Sequence, residues 1–208
     1  MGVETLLELQ RIMIQMRRFI HSAAPGRPSA RQMLRAATAA LHDEVDARFS
    51  GPFETDENAY AAFLVALARA VRPLEAALDE GGMERFLPDW PERRRSRALE
   101  RDLEVLGVPL PAAIPVGVTR DEARLYGRLY VLEGSRLGGR LLMKRALANA
   151  DPKVRAATNY LGHGVGADFW RGFLERLEGS AAVAASPERT MLGAREAFGL
   201  FREESAHA

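Results

Sequence analysis

Apolar residues recur at three- and four-residue steps along most of this chain, the period of helices that bury one face. From Ser29 onward, Leu34, Thr38, Leu41, Val45 and Phe49 form such a stripe. Ser29 followed by Gln32 predicts a capping box at its start, and Gly51-Pro52 breaks it. Tyr60, Phe63, Leu64, Leu67 and Val71 predict a second helix from Thr55 or Asp56 to Gly81-Gly82, kinked or divided by Pro73. Pro88 to Leu106 reads as a third, strongly charged helix, and Gly107 to Val118, with its three prolines, as a connector. Thr119 and Glu122 predict a capping box that opens a long central helix reaching about Asn149. Asp151-Pro152 starts the next helix with proline at its first position, and Tyr160 to Gly166 reads as a glycine-rich break. Phe169, Trp170, Phe173, Leu174 and Leu177 mark a further helix. Ser186-Pro187-Glu188 opens the last one, with Met191, Leu192, Ala197, Phe198 and Phe201 turned inward. No segment alternates like a strand and none repeats, so the chain reads as all-α.

The central helix is the odd one. Leu125, Leu129, Leu132, Leu137, Leu141 and Leu142 keep a helical period, yet Gly134, Gly138 and Gly139 interrupt it. Glycine inside a helix costs about 0.5–1 kcal/mol relative to alanine. Gly134 and Gly138 are one turn apart, so their bare backbone lies on one face. Three readings follow: a neighbouring helix packs tightly there, the helix bends there, or a flat, bulky ligand lies against the exposed backbone.

Composition narrows the chemistry. The chain has 208 residues, enough for one domain with a full core. A net charge of +1 gives no general electrostatic case for nucleic acid or membrane partners. No run is apolar enough for stable insertion in a bilayer, and the cytoplasm is the expected location. The absence of cysteine excludes disulfides, thiolate nucleophiles and zinc–thiolate sites. No dinucleotide fingerprint, phosphate-binding loop, two-histidine zinc spacing or serine-hydrolase elbow occurs. Residues 1–28 read as an N-terminal extension and linker, with an amphipathic stretch from Leu6 to Ile20, and residues 29–208 as the compact domain. The run Arg93, Arg94, Arg95 and Arg97 reads as a solvated face, with a docking surface as the alternative.

Of four histidines, His42 stands out. It follows Leu41 on the first helix of the domain, at or near the core. An inward histidine is either a hydrogen-bonded core residue or a ligand. Asp46, one turn on, can accept from the imidazole Nδ1–H and leave Nε2 free for a metal. Arg35 lies two turns before His42 on the same side, as a surface charge or as a partner for an anionic ligand. His21, His163 and His207 form no cluster with it in sequence.

The stretch Leu34-Arg35-Ala36-Ala37-Thr38-Ala39-Ala40-Leu41-His42-Asp43-Glu44-Val45-Asp46 resembles the proximal helix of bacterial haem oxygenases, which carries the axial histidine. Tyr130-Val131-Leu132-Glu133-Gly134-Ser135-Arg136-Leu137-Gly138-Gly139 is similar to their glycine-broken distal helix. Order and separation match as well, over roughly Ser29 to the end. The resemblance is closest to the bacterial branch, which includes forms that supply biliverdin to phytochromes.

The resemblance implies a multi-helix bundle with haem between a proximal and a kinked distal helix. It implies that His42 is the axial iron ligand and that Asp46 supports it from behind. Gly134, Ser135, Gly138 and Gly139 would form the distal, catalytic face. Arg35, Tyr130 and Lys144 would hold the propionates. Ser135 stands where animal-type members carry an aspartate that orders distal water. The implied reaction is oxidative cleavage of haem, both substrate and cofactor, to biliverdin, carbon monoxide and ferrous iron. It draws electrons from an external protein or small reductant, and a phytochrome is a possible acceptor of the product. A non-catalytic haem carrier or sensor on the same fold is the alternative, and a helical enzyme for a different small molecule the third reading.

Overall fold

The computed structural model describes residues 28–49, 51–53 and 55–202. The stretch Leu6–Ile20, most of the linker, His21 and His207 lie outside the described residues. Ten helices and one 3-10 turn occur among those described. They are α1 (Ala30–Arg48), α2 (Glu57–Gly81), the turn Met83–Arg85, α3 (Trp90–Arg93), α4 (Ser96–Leu106) and α5 (Glu122–Leu147). Then come α6 (Pro152–Ala156), α7 (Asn159–Gly162), α8 (Phe169–Gly179), α9 (Ala181–Ala185) and α10 (Pro187–Leu200).

The capping box expected at Ser29 is present, with Gln32 and Ser29 each accepting the other's amide. Glu178 of α8 adds a second hold, accepting the Ala30 and Arg31 amides at 2.9 Å each. The start of α1 is thus fixed from its own sequence and from a neighbour. Helix α2 does not divide at Pro73. Proline removes the amide that would reach the Arg69 carbonyl, and the Ile114 amide of the connector fills that place at 3.2 Å. Gly82, at φ 80°, ends α2 in the left-handed conformation.

The expected helix from Pro88 to Leu106 is two helices. Arg94 is extended between them. The cause is a carboxylate from elsewhere. Glu75 of α2, itself buried, accepts the Arg95 and Ser96 amides and the Ser96 hydroxyl, and so caps α4. The basic run is also not a solvated face: Arg93 and Arg95 are 2% and 3% exposed, while Arg94 and Arg97 point outward. The central helix is capped by Asp121, whose side chain accepts the Arg124 amide. Thr119 serves one step earlier, accepting the Asp121 amide, so the expected Thr119–Glu122 box is absent. Asp151 and Pro152 open α6 as expected. The glycine-rich break contains α7, whose first amides are held by the buried carboxylate of Asp102. Leu192 was expected inward but is 45% exposed, because its neighbour Gly193 takes the position facing α5.

The core is one cluster running from Leu34 through Tyr60, Leu64, Val71 and Leu78 of α2 to Leu125, Leu129, Phe173 and Phe198. Its tightest crossing is α5 on α10. A β-carbon on Gly127 would run into the Thr190 carbonyl oxygen, and one on Gly193 into that of Arg124. Helix α1 also packs on α10, while α1 and α5 scarcely touch each other.

Candidate functional site

The expected site residues are carried by α1 and α5, which both pack on α10 and leave a slot between them where they scarcely touch. His42 lies at the edge of the α1 stripe and not within it: its side chain is 60% exposed. Leu41 and Val45 take the half-buried positions. Its Nδ1 sits 3.0 Å from Asp46 Oδ2. That hydrogen bond raises the imidazole above its usual 6.5, against partial burial, and the charges of Asp46 and Asp43 add to it while Arg35 opposes. With Nδ1 donating to Asp46, Nε2 carries the free lone pair. The Phe198 ring of α10 meets the imidazole edge-on, with centroids 6.2 Å apart.

On α5 the helix runs unbroken through its glycines. A β-carbon on Gly138 would meet nothing within 4 Å, and one on Gly134 only the Trp170 ring at 3.9 Å. Apart from the Trp170 ring of α8, no described residue covers this face. Leu137, which shares it, is 42% exposed. Gly139 differs. Its β-carbon would lie 3.2 Å from the Leu161 carbonyl, so the structure gives it a packing role against α7.

One turn before Gly134, the Tyr130 ring lies 5.9 Å from that of Trp170. Burial pushes the Tyr130 hydroxyl up, and the charges of Arg31 and Arg35 pull it down, which puts both guanidiniums close to it. Arg31 stacks over Trp170 at 5.8 Å. Neither arginine has a carboxylate partner, and the Tyr130 hydroxyl has no hydrogen bond, among the described residues. Arg31 went unremarked in the sequence, although its spacing of four from Arg35 puts both on one face. Trp170 was noticed only as an apolar position. Lys144 does not join this group. It lies on α5 roughly 20 Å along the axis from Tyr130 by helical rise, beyond reach of a carboxylate held there.

Ser135 is turned to the protein. Its hydroxyl donates to the Leu132 carbonyl at 2.7 Å and accepts from Arg95 at 2.8 Å. Arg95 also donates to the Leu132 carbonyl at 2.7 Å. Behind them, Arg93 and Arg136 both pair with Glu133, which is fully buried, and Arg136 reaches His163 Nδ1 at 3.3 Å. Burial, then the charges of Arg136 and Arg95, push His163 down to about 4. Nothing in the spacing of Arg93 or Arg95 announces these roles.

The donor set suits one kind of guest. It offers an imidazole on α1 whose Nε2 is not held by Asp46, a strip of bare backbone on α5, and a phenol near two guanidiniums that lack a carboxylate partner among the described residues. A flat ring system with carboxylates on one side and a nitrogen-seeking metal at its centre fits all three. Among the described residues no cluster of three metal-ligating side chains occurs, so His42 would be a lone protein ligand to an iron held otherwise by the ring. Residues 29–206 match the Heme oxygenase family model. The chain belongs to the haem oxygenase family. It is 35% identical to the haem oxygenase of Xanthomonas campestris pv. campestris over 155 residues, 73% of this chain and 91% of that one. It is 30% identical to the haem oxygenase PigA of Pseudomonas aeruginosa over 153 residues, 72% of this chain and 77% of the other. The fold matches the NO- and CO-bound haem oxygenase of Neisseria meningitidis with a TM-score of 0.65, at 24% identity, over 85% of this chain and 89% of that one. As a haem oxygenase the protein degrades haem to biliverdin, with haem as substrate and cofactor and electrons from an external reductant. No helix among its described residues is long and apolar enough to cross a membrane.

Proposed function

We propose that this haem oxygenase holds haem in the slot between α1 and α5, with His42 Nε2 on the iron and the Gly134–Gly138 backbone over the opposite face. One observation carries the reading. The open position at Gly138 and the lightly contacted one at Gly134 lie one to two turns from a phenol near two guanidiniums that have no carboxylate partner among the described residues. When bound, haem supplies the iron that activates dioxygen and is itself the molecule cut, giving biliverdin, carbon monoxide and ferrous iron. Residues 29–208 form the haem oxygenase domain, and residues 1–28 an extension to it.

Asp46 holds the proton on Nδ1 and so presents Nε2 unprotonated. Arg35, Arg31 and Tyr130 bind the propionates, the guanidiniums by charge-assisted bonds. These contacts would anchor the ring against in-plane rotation and so would set which of its edges lies under the glycine strip. Gly134 and Gly138 would let the helix backbone come close to the ring where a side chain would intrude, and so would limit the space left above it. Ser135, its proton already donated, meets water there only as an acceptor. The setting is cytoplasmic, where a protein or small-molecule reductant is at hand, and a phytochrome is one acceptor chemically suited to the product.

The test is haemin with a reductant in air. The wild-type chain is expected to show a Soret band of nitrogen-ligated haem that gives way to a biliverdin spectrum. His42→Ala is expected to lose that ligation and most of the turnover. A Soret band that persists under these conditions would mark a carrier, and ligation unchanged in His42→Ala would overturn the assignment of the iron.

A further inference from the structure

By helical angle Leu132, Arg136 and Gly139 lie on the side of α5 away from Gly134, and Ser135 stands at the border between the two faces. Arg95 reaches both the hidden side and the border. It is 3% exposed, and its guanidinium binds the Leu132 carbonyl, the Ser135 hydroxyl and the face of the Tyr160 ring at 4.5 Å, but no carboxylate among the described residues. A guanidinium buried without an anion is costly. Around it, Arg93 and Arg136 share the buried carboxylate of Glu133 and Arg93 also pairs with the half-exposed Asp89, so three guanidiniums face two carboxylates beneath the glycine segment. The low value of His163 has the same origin in part, since Arg95 and Arg136 both disfavour its proton.

In an α-helix the Leu132 carbonyl accepts the Arg136 amide. Here it also accepts from Ser135 and from Arg95, at 2.7 Å each. The Leu132 carbonyl is thus shared by two side-chain donors beside the helical amide, at the turn that carries Gly134. The same two contacts fix the Ser135 rotamer.

We propose that Arg95 is a positioning residue for the haem-facing side of α5: anchored on the Leu132 carbonyl and the Ser135 hydroxyl, it sets the height of the glycine segment and the orientation of that hydroxyl, and places a buried positive charge behind them. This rests on the slot holding haem. It acts through Ser135 and the backbone, without touching the substrate.

The experiment uses the full chain loaded with haem, reduced, and exposed to carbon monoxide, and reads the C–O stretch, which falls when positive potential faces the bound oxygen atom. Arg95→Met is expected to keep the Soret band and move the stretch to higher frequency. Arg95→Lys, which restores the charge, should return it towards the wild-type position. Ser135→Ala should also shift the band, and adding it to Arg95→Met should have less than an additive effect, since both cut one link. An unmoved stretch in Arg95→Met with haem bound overturns the proposal. Where Arg95→Met does not fold, an unmoved stretch in Ser135→Ala does so instead. A wild-type chain that forms no nitrogen-ligated complex sinks the haem reading itself, before any variant is compared.

Discussion

Glycines of one helix do opposite things here, and only their surroundings separate them. Gly127 is pressed against the Thr190 carbonyl, Gly139 against that of Leu161, while Gly138 faces open space. A methyl on Gly138 therefore has no protein atom to strike, and by helix propensity it should stabilise the fold by about 0.5–1 kcal/mol. The same methyl would project into the slot. Gly138→Ala is expected to raise the urea midpoint slightly while slowing biliverdin formation or changing its isomer, as read by chromatography after a turnover assay. A destabilised Gly138→Ala with unaltered products would refute the assignment. The sequence could show that glycine is frequent in α5, but a glycine that is crowded and a glycine that is bare look alike in a string of letters. His42 and Asp46 were legible as a pair because their spacing fixes their contact. Arg95 was not, since what buries it is Tyr160 and α5, far away in the chain.

At the scale of elements, carboxylates from one helix repeatedly cap the amino end of another. Glu178 holds α1, Glu75 holds α4 and Asp102 holds α7. Local cap signals were readable where the cap is local, as at Ser29 and Asp151. They failed where the cap is remote: the charged run from Pro88 continues in helical period on paper, and Glu75 cuts it in space. Pro73 shows the converse, a breaker silenced by the Ile114 amide of the connector. The α5–α10 crossing is held by contact of backbone on backbone, which neither helix can relax alone. Gly127→Ala is expected to cost roughly 3 kcal/mol or more in chemical unfolding, far above the effect at Gly138. Comparable midpoints for the two variants would show that the crossing yields, and that bare backbone there is not required.

Across the whole molecule, α3, α4, α5, α7 and α8 meet at one charge cluster that contains three arginines, the carboxylates of Glu133 and Asp89, and His163. Such a centre ties stability to pH. His163 is depressed from 6.5 to about 4 in the fold, first by burial and then by Arg136 and Arg95. Between those values the unfolded chain takes up the proton and the folded chain does not. Stability is therefore lost as pH falls from about 6.5 towards 4, and this group takes no more away below about 4. His163→Gln keeps an acceptor for Arg136 but cannot titrate. Urea midpoints taken at pH 7, 6 and 5 should fall for the wild type and fall less for the variant. Parallel curves would mean that His163 is protonated in the fold as readily as outside it, and that the cationic excess under the glycine segment is compensated by some other route.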